Sequence, residues 1–178
     1  MHLNVGQKVA YPNQGVCLVE EIKKRLIGDH ALSGYCLRVL GDNSVIFVPM
    51  DNAESVGIRP LISRSECRRL IDALSADFEP ADHDWKLRAK EFAEKLHSGN
   101  VFEAADVLKK LTYLSCHKKL SFREQTMLQK AKYLVVSEIT NADKRQFAWL
   151  ESELCKLVET ACLKHQKMDI LALSATIH

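Results

Sequence analysis

At 178 residues, 47% of them hydrophobic and 27% charged, the chain has the composition of one or two small globular domains and can bury a core of its own. A net charge of +2 is too small to imply a nucleic-acid partner by itself, and the longest apolar runs fall short of the ~20 residues that a membrane span requires. Met1–Gly6 lacks the charged-then-apolar layout of an export signal, so the chain is expected in the cytoplasm with no membrane partner.

The first sixty residues read as short strands broken by turn chemistry. Lys8–Tyr11, Val16–Lys23, Tyr35–Leu40 and Ser44–Val48 are rich in β-branched and alternating apolar positions. Pro12-Asn13-Gln14-Gly15, Gly28-Asp29, Ser33-Gly34 and Gly41-Asp42-Asn43 separate them. This pattern predicts a small antiparallel barrel or curled sheet. Lys23-Lys24-Arg25-Leu26-Ile27 is expected at a hairpin tip, where charge beside apolar residues serves a protein contact or is a solvated end.

From Ser63 the period becomes helical. Ser63-Arg64-Ser65-Glu66 is a capping box that opens a helix running to about Leu74. The acidic, proline-interrupted stretch Asp77–Asp82 follows and marks the natural boundary between the halves. Helices are then expected over about 84–97, ended by Gly99, over about 101–115, from a second capping box at Ser121-Phe122-Arg123-Glu124, and over about 142–166. The expected class is α+β, with a small antiparallel barrel over 1–62, a helix and acidic linker over 63–82, and an all-helical domain over 83–178. The last helix, with Phe147, Trp149, Leu150, Leu154, Leu157 and Val158, reads as a packing helix with Trp149 at the core edge. The apolar Met168–Leu173 tail could dock or dimerise.

Positive charge is concentrated. Residues 75–84 hold four acids and no base, whereas 86–132 hold 11 Lys or Arg against 5 acids. At the junction of these segments stands Asp82-His83-Asp84-Trp85-Lys86-Leu87-Arg88-Ala89-Lys90. An aromatic ring in a first helical turn beside Lys86, Arg88 and Lys90 can meet a base step while its neighbours hold phosphates. The alternative is equally concrete: Ala89, Phe92 and Leu96 fall within about 40° of Trp85 at 100° per residue, which places Trp85 on the apolar stripe of its helix.

No phosphate-binding glycine loop, zinc-protease helix or nucleophile elbow occurs, and the seven histidines have no carboxylate or cysteine partner at a one-face spacing. No catalytic residue, cofactor or small-molecule substrate is therefore expected. The six cysteines include no CxxC pair and read as reduced, partly buried thiols. Cys155, Cys162 and His165 supply only three candidate ligands with no fourth to close a zinc site, so no metal is expected.

Val5-Gly6-Gln7-Lys8-Val9-Ala10-Tyr11-Pro12-Asn13-Gln14-Gly15-Val16, Ile46-Phe47-Val48-Pro49, Ser55-Val56-Gly57-Ile58-Arg59, Asp84-Trp85, Leu96-His97-Ser98-Gly99, Leu120-Ser121 and Met127-Leu128-Gln129-Lys130-Ala131 occur in order. Together they resemble the CarD/CdnL family of bacterial transcription regulators over roughly residues 5–140. The resemblance implies a Tudor-like N-terminal domain that binds the β subunit of RNA polymerase, and a helical domain that contacts promoter DNA largely without regard to sequence. In that family a tryptophan matching Trp85 wedges into the minor groove at the upstream edge of the melted bubble and stabilises the open complex. With the basic residues of the same segment supplying grip on phosphates, the expected DNA-facing set is Trp85, Lys86, Arg88, Lys90, Lys118, Lys119 and Lys130. The polymerase-facing set is Lys24, Arg25, Phe47 and Pro49, with Arg25 matching the family and Phe47 standing where some members have a basic residue. Two other classes stay open: a polymerase adaptor without DNA engagement, like the interaction domain of transcription-repair coupling factors, and a helical protein-interaction module over residues 101–166.

Overall fold

Alternation of apolar and polar side chains builds the N-terminal half. In a computed structural model, which describes residues 2–27, 30–143 and 149–176, strands β1 (Lys8–Tyr11), β2 (Gly15–Ile27), β3 (His30–Val39), β4 (Val45–Pro49) and β5 (Arg59–Pro60) form one antiparallel sheet in the order β4-β3-β2-β1-β5. This is the small Tudor-like sheet expected, with helices following it. Inward positions Val9, Cys17, Val19, Tyr35, Leu37, Val39 and Val48 close over Leu3, Ala53 and Ile58 in a first core. A bulge between Val19 and Glu21 bends β2, and beyond it Glu21–Leu26 are exposed, so β2 and β3 extend past the core as an arm.

One expectation changes here, and one strand is added. Lys23, Lys24 and Arg25 are not at a hairpin tip but lie within β2, paired with Gly34, Ser33 and Leu32, because the ladder continues to Ile27↔His30. The two-residue strand β5 has no pattern to read in sequence and exists only through its pairing with Val9 and Ala10. Gly28-Asp29 lies outside the described residues.

Five helices follow among the described residues: α1 (Arg64–Ser75), α2 (Trp85–His97), α3 (Val101–His117), α4 (Phe122–Ala142) and α5 (Leu150–Thr176). Both capping boxes are formed, Ser63 with Glu66 and Ser121 with Glu124. Gly99, with φ +77°, takes the left-handed position just past the end of α2. Leu70, Leu74, Phe92, Leu96, Leu108, Leu111, Val135, Ile139, Leu150 and Leu154 interdigitate in the second core. The last helix starts at Leu150 rather than near Ala142, which instead closes α4. Trp149 is at the core edge, 45% exposed. Phe147 and the side chains of Met168–Leu173 lie outside the described residues. No helix among the described residues is long and apolar enough to cross a membrane.

The acidic stretch is held down rather than left as a loose connection. The buried Lys109 ammonium donates to the carbonyls of Ala73 and Ala76 at 2.7 Å, and His165 of α5 meets Asp77 at 2.5 Å while stacking on Phe78. Sheet and helices also meet directly. Arg59 donates to Glu138 of α4 and to the Gly99 carbonyl, and the Tyr133 ring lies so close to Gly15 that a Cβ there would come within 2.7 Å of it.

Candidate nucleic-acid interface and polymerase-facing edge

The start of α2 is built by local hydrogen bonds. Asp82 accepts from the Asp84 N–H and Asp84 accepts from the Lys86 N–H, each at 2.7 Å, so that Trp85 becomes the first helical residue. Phe92 and Leu96, about two and three turns on, are buried. Trp85 itself is 62% exposed, although it shares the wheel position of that stripe. The ring therefore belongs to the surface.

Arg88 departs from expectation. It is 4% exposed, and its guanidinium donates to the carbonyls of Asp82 (2.6 Å) and His83 (3.3 Å) and to Glu124 Oε1 (3.0 Å). Burial and these bonds turn its guanidinium inward, onto the segment that leads into Trp85, so Arg88 serves as a support for the helix start rather than as a phosphate ligand. Glu124 also takes the Ser121 N–H (2.9 Å) and Lys118 Nζ (3.3 Å). Burial disfavours its charged form, yet the Ser121 backbone and hydroxyl donors, with Arg88 and Lys118, outweigh that and pull its pKa down to about 2.

Between the starts of α2 and α4 lies a groove of about 520 Å³, walled by Trp85, Ala89, Phe92 and Met127 and rimmed by Lys118, Ser121 and Arg123. Lys86 is exposed with its ammonium 5.7 Å from the Trp85 ring. Lys90 is exposed and within 3.9 Å of Glu94, and Lys118 and Lys119 are exposed at the end of α3. Lys130 stands apart. It is half-buried with its ammonium 5.9 Å from the Tyr133 ring, and burial lowers its pKa while Asp42 of the β3–β4 turn raises it, so it serves the sheet–helix contact rather than the groove.

One residue of this rim, Arg123, is absent from the expected set. Phe122 before it, the first residue of α4, is 86% exposed but does not line the groove. The signal for its exposure was present: Phe122 is about 180° from Ala131 on the helical wheel, opposite the buried stripe.

The polymerase-facing set divides. Pairing places Glu21, Lys23 and Arg25 of β2, Gly34 and Cys36 of β3, and Phe47 and Pro49 of β4 on one face. There the Arg25 guanidinium lies over the Phe47 ring, 4.8 Å from its centroid, and Phe47 fills the space left by Gly34. Lys24 projects from the opposite face. β4 is an edge strand, with Pro49 at its end.

Two family models match the chain in succession. The family model for the CarD-like/TRCF RID domain matches residues 3–62, and that for the CarD C-terminal domain matches residues 69–154. A curated Bacillus subtilis (strain 168) protein, "Putative transcription factor YdeB", is 24% identical over 135 residues, covering 76% of this chain and 88% of that protein. With both domain models matched in order, on a Tudor-like sheet followed by helices, the chain belongs to the CarD/CdnL family of transcription regulators.

Proposed function

We propose that this protein binds the β subunit of RNA polymerase through the Arg25–Phe47–Pro49 face and stabilises the promoter open complex through Trp85, acting in the cytoplasm as a regulator rather than an enzyme. The observation that carries this reading is a large aromatic ring, 62% exposed, at a helix start braced by a buried arginine, with Lys86 beside it and Lys118 in the same groove. A tryptophan left in water forgoes ~1.5–3 kcal/mol of burial, a cost that is recovered when the ring enters a base step. Unstacking that step costs a few kcal/mol, and the inserted ring replaces part of the lost stack. Lys86, Lys90, Lys118 and Lys119 supply attraction to phosphates without reading base edges, so affinity is largely independent of sequence and dependent on salt.

Open-complex lifetime on a linear promoter, with and without the protein, tests this reading. A lifetime extended by the parent and not by Trp85→Ala supports it. An equal extension by both proteins identifies a polymerase adaptor that does not use DNA.

A further inference from the structure

Arg59 of β5 joins the sheet to both helices that wall the Trp85 groove. Its backbone pairs with Ala10 in the sheet, and its guanidinium reaches across to the helical half. It donates to Glu138 Oε1 and Oε2 near the end of α4, at 2.5 and 2.9 Å, and twice to the Gly99 carbonyl just past the end of α2, at 3.0 and 2.7 Å. Glu138 is 5% exposed and also accepts the Ile62 N–H at 3.2 Å, so the same carboxylate holds the connection into α1. Neighbouring contacts stiffen the joint. The Pro12 ring packs against both Gly57 and Gly99, where an added Cβ on either would come within 2.9 Å of it. Asn13 meets His97 at 3.4 Å, and Lys8 donates to Asn141 of α4 at 2.8 Å.

Trp85 stands at the opposite end of α2 from this joint. A helical rise of about 1.5 Å per residue puts it about 20 Å from Gly99, so a tilt of about 10° at the joint displaces the ring by about 3.5 Å, roughly one base step. The Arg88 and Glu124 pair ties the far ends of the same two helices, so α2 and α4 move together as one lever. A forked arginine–carboxylate contact fixes an angle as well as a distance. Resting on the reading in which the Arg25–Phe47–Pro49 face binds polymerase and Trp85 enters DNA, we propose that Arg59 and Glu138 are positioning residues that hold Trp85 at one reach and angle from the polymerase-facing sheet, so that the ring meets a single base step. In this role neither residue touches polymerase or DNA. Two sites on one chain reinforce each other only where the connection lets both engage at once, and a loosened joint leaves each surface intact while blurring the step at which Trp85 enters.

The test uses the full chain with RNA polymerase and a promoter carrying 2-aminopurine at one position at a time across the upstream edge of the melted region. The parent is expected to change the fluorescence at one position only. Glu138→Gln, which keeps the shape and removes the charge, is expected to bind polymerase and isolated duplex as the parent does, to spread the fluorescence change over neighbouring positions, and to shorten the open-complex lifetime about tenfold. Arg59→Met combined with Glu138→Met removes both charges together and leaves neither buried alone, a replacement that is often neutral for folding, and it is expected to give the same result. A weaker signal confined to the same position in both variants would assign the pair to fold stability alone and overturn the proposal, as would loss of polymerase binding. If both variants match the parent while Trp85→Ala loses the lifetime extension, the positioning role is wrong and the role of Trp85 stands. If Trp85→Ala also matches the parent, the DNA reading itself is wrong and the proposal falls with it.

Discussion

The guanidinium of Arg88 and the carboxylate of Glu124, 3.0 Å apart, tie the first turn of α2 to the first turn of α4, and both side chains are largely withdrawn from solvent. This pair holds the starts of the two helices together. Arg88→Ala takes one partner from Glu124, which keeps Ser121 and Lys118, and strips the Asp82 and His83 carbonyls of their donor, so it is expected to cost ~1–3 kcal/mol of stability by chemical denaturation. Reversing the obvious surface reading, this substitution of a basic residue damages folding before it damages DNA binding.

The same pair sets a pH response. The folded pKa of Glu124, about 2, is below its ordinary 4.5, so its ionised form contributes stability that is complete above pH ~4.5 and is lost as pH falls toward 2. Thermal melts across pH 2 to 5 should decline more steeply for the parent than for Glu124→Gln. Parallel declines would show that other carboxylates govern acid unfolding.

Trp85→Ala separates surface from core in one melt. Truncating a buried tryptophan costs ~3–5 kcal/mol, whereas a ring 62% exposed should cost less than ~1 kcal/mol. The same variant should lose most open-complex stabilisation, and Trp85→Phe should keep part of it, since a smaller ring still stacks.

On the sheet, Arg25→Glu should weaken polymerase binding, and Lys24→Glu should do so far less, because the two side chains leave β2 on opposite faces. Pull-down of polymerase by each variant decides between them. Neither change should cost more than ~0.5 kcal/mol of stability, as both positions are exposed. Equal loss from both would place the polymerase at the end of the arm rather than on its Phe47 face.

Local rules in the sequence located most elements, and they failed where tertiary contact decides. Ser63-x-x-Glu66 and Ser121-x-x-Glu124 mark helix starts because their hydrogen bonds are complete within four residues. The apolar stripe Ala89–Phe92–Leu96 located the buried face of α2, but whether Trp85 shares it depends on where neighbouring helices end, which periodicity does not encode. Arg88 was misplaced for the same reason: its partner Glu124 is 36 positions away. β5 and the division of Lys24 from Arg25 both follow from strand pairing, and neither has a local signature. The start of the last helix was set too early because the helical periodicity of α4 continues through Ala142.

The contact between sheet and helices predicts a cost for a small substitution. Gly15 has φ +84°, and an added Cβ would meet Tyr133 Cε1 at 2.7 Å. Gly15→Ala should therefore lose ~1–3 kcal/mol in denaturant unfolding. Pairing it with Tyr133→Ala should recover the part due to the clash and leave the part due to backbone strain.

DNA binding by the isolated chain should be weak, indifferent to sequence and steeply dependent on salt. Each phosphate contact adds ~0.9 to the slope of log affinity against log salt on duplex DNA. With Arg88 buried and Lys130 turned to the sheet, the cations left around the groove are Lys86, Lys90, Lys118, Lys119 and Arg123. Lys119→Ala should therefore lower the slope by about one contact, whereas Lys130→Ala should leave it unchanged. Anisotropy titrations of a labelled duplex at several salt concentrations measure both slopes. An unchanged slope for Lys119→Ala, together with a reduced one for Lys130→Ala, would move the DNA path from the α2–α4 groove to the sheet side of α4.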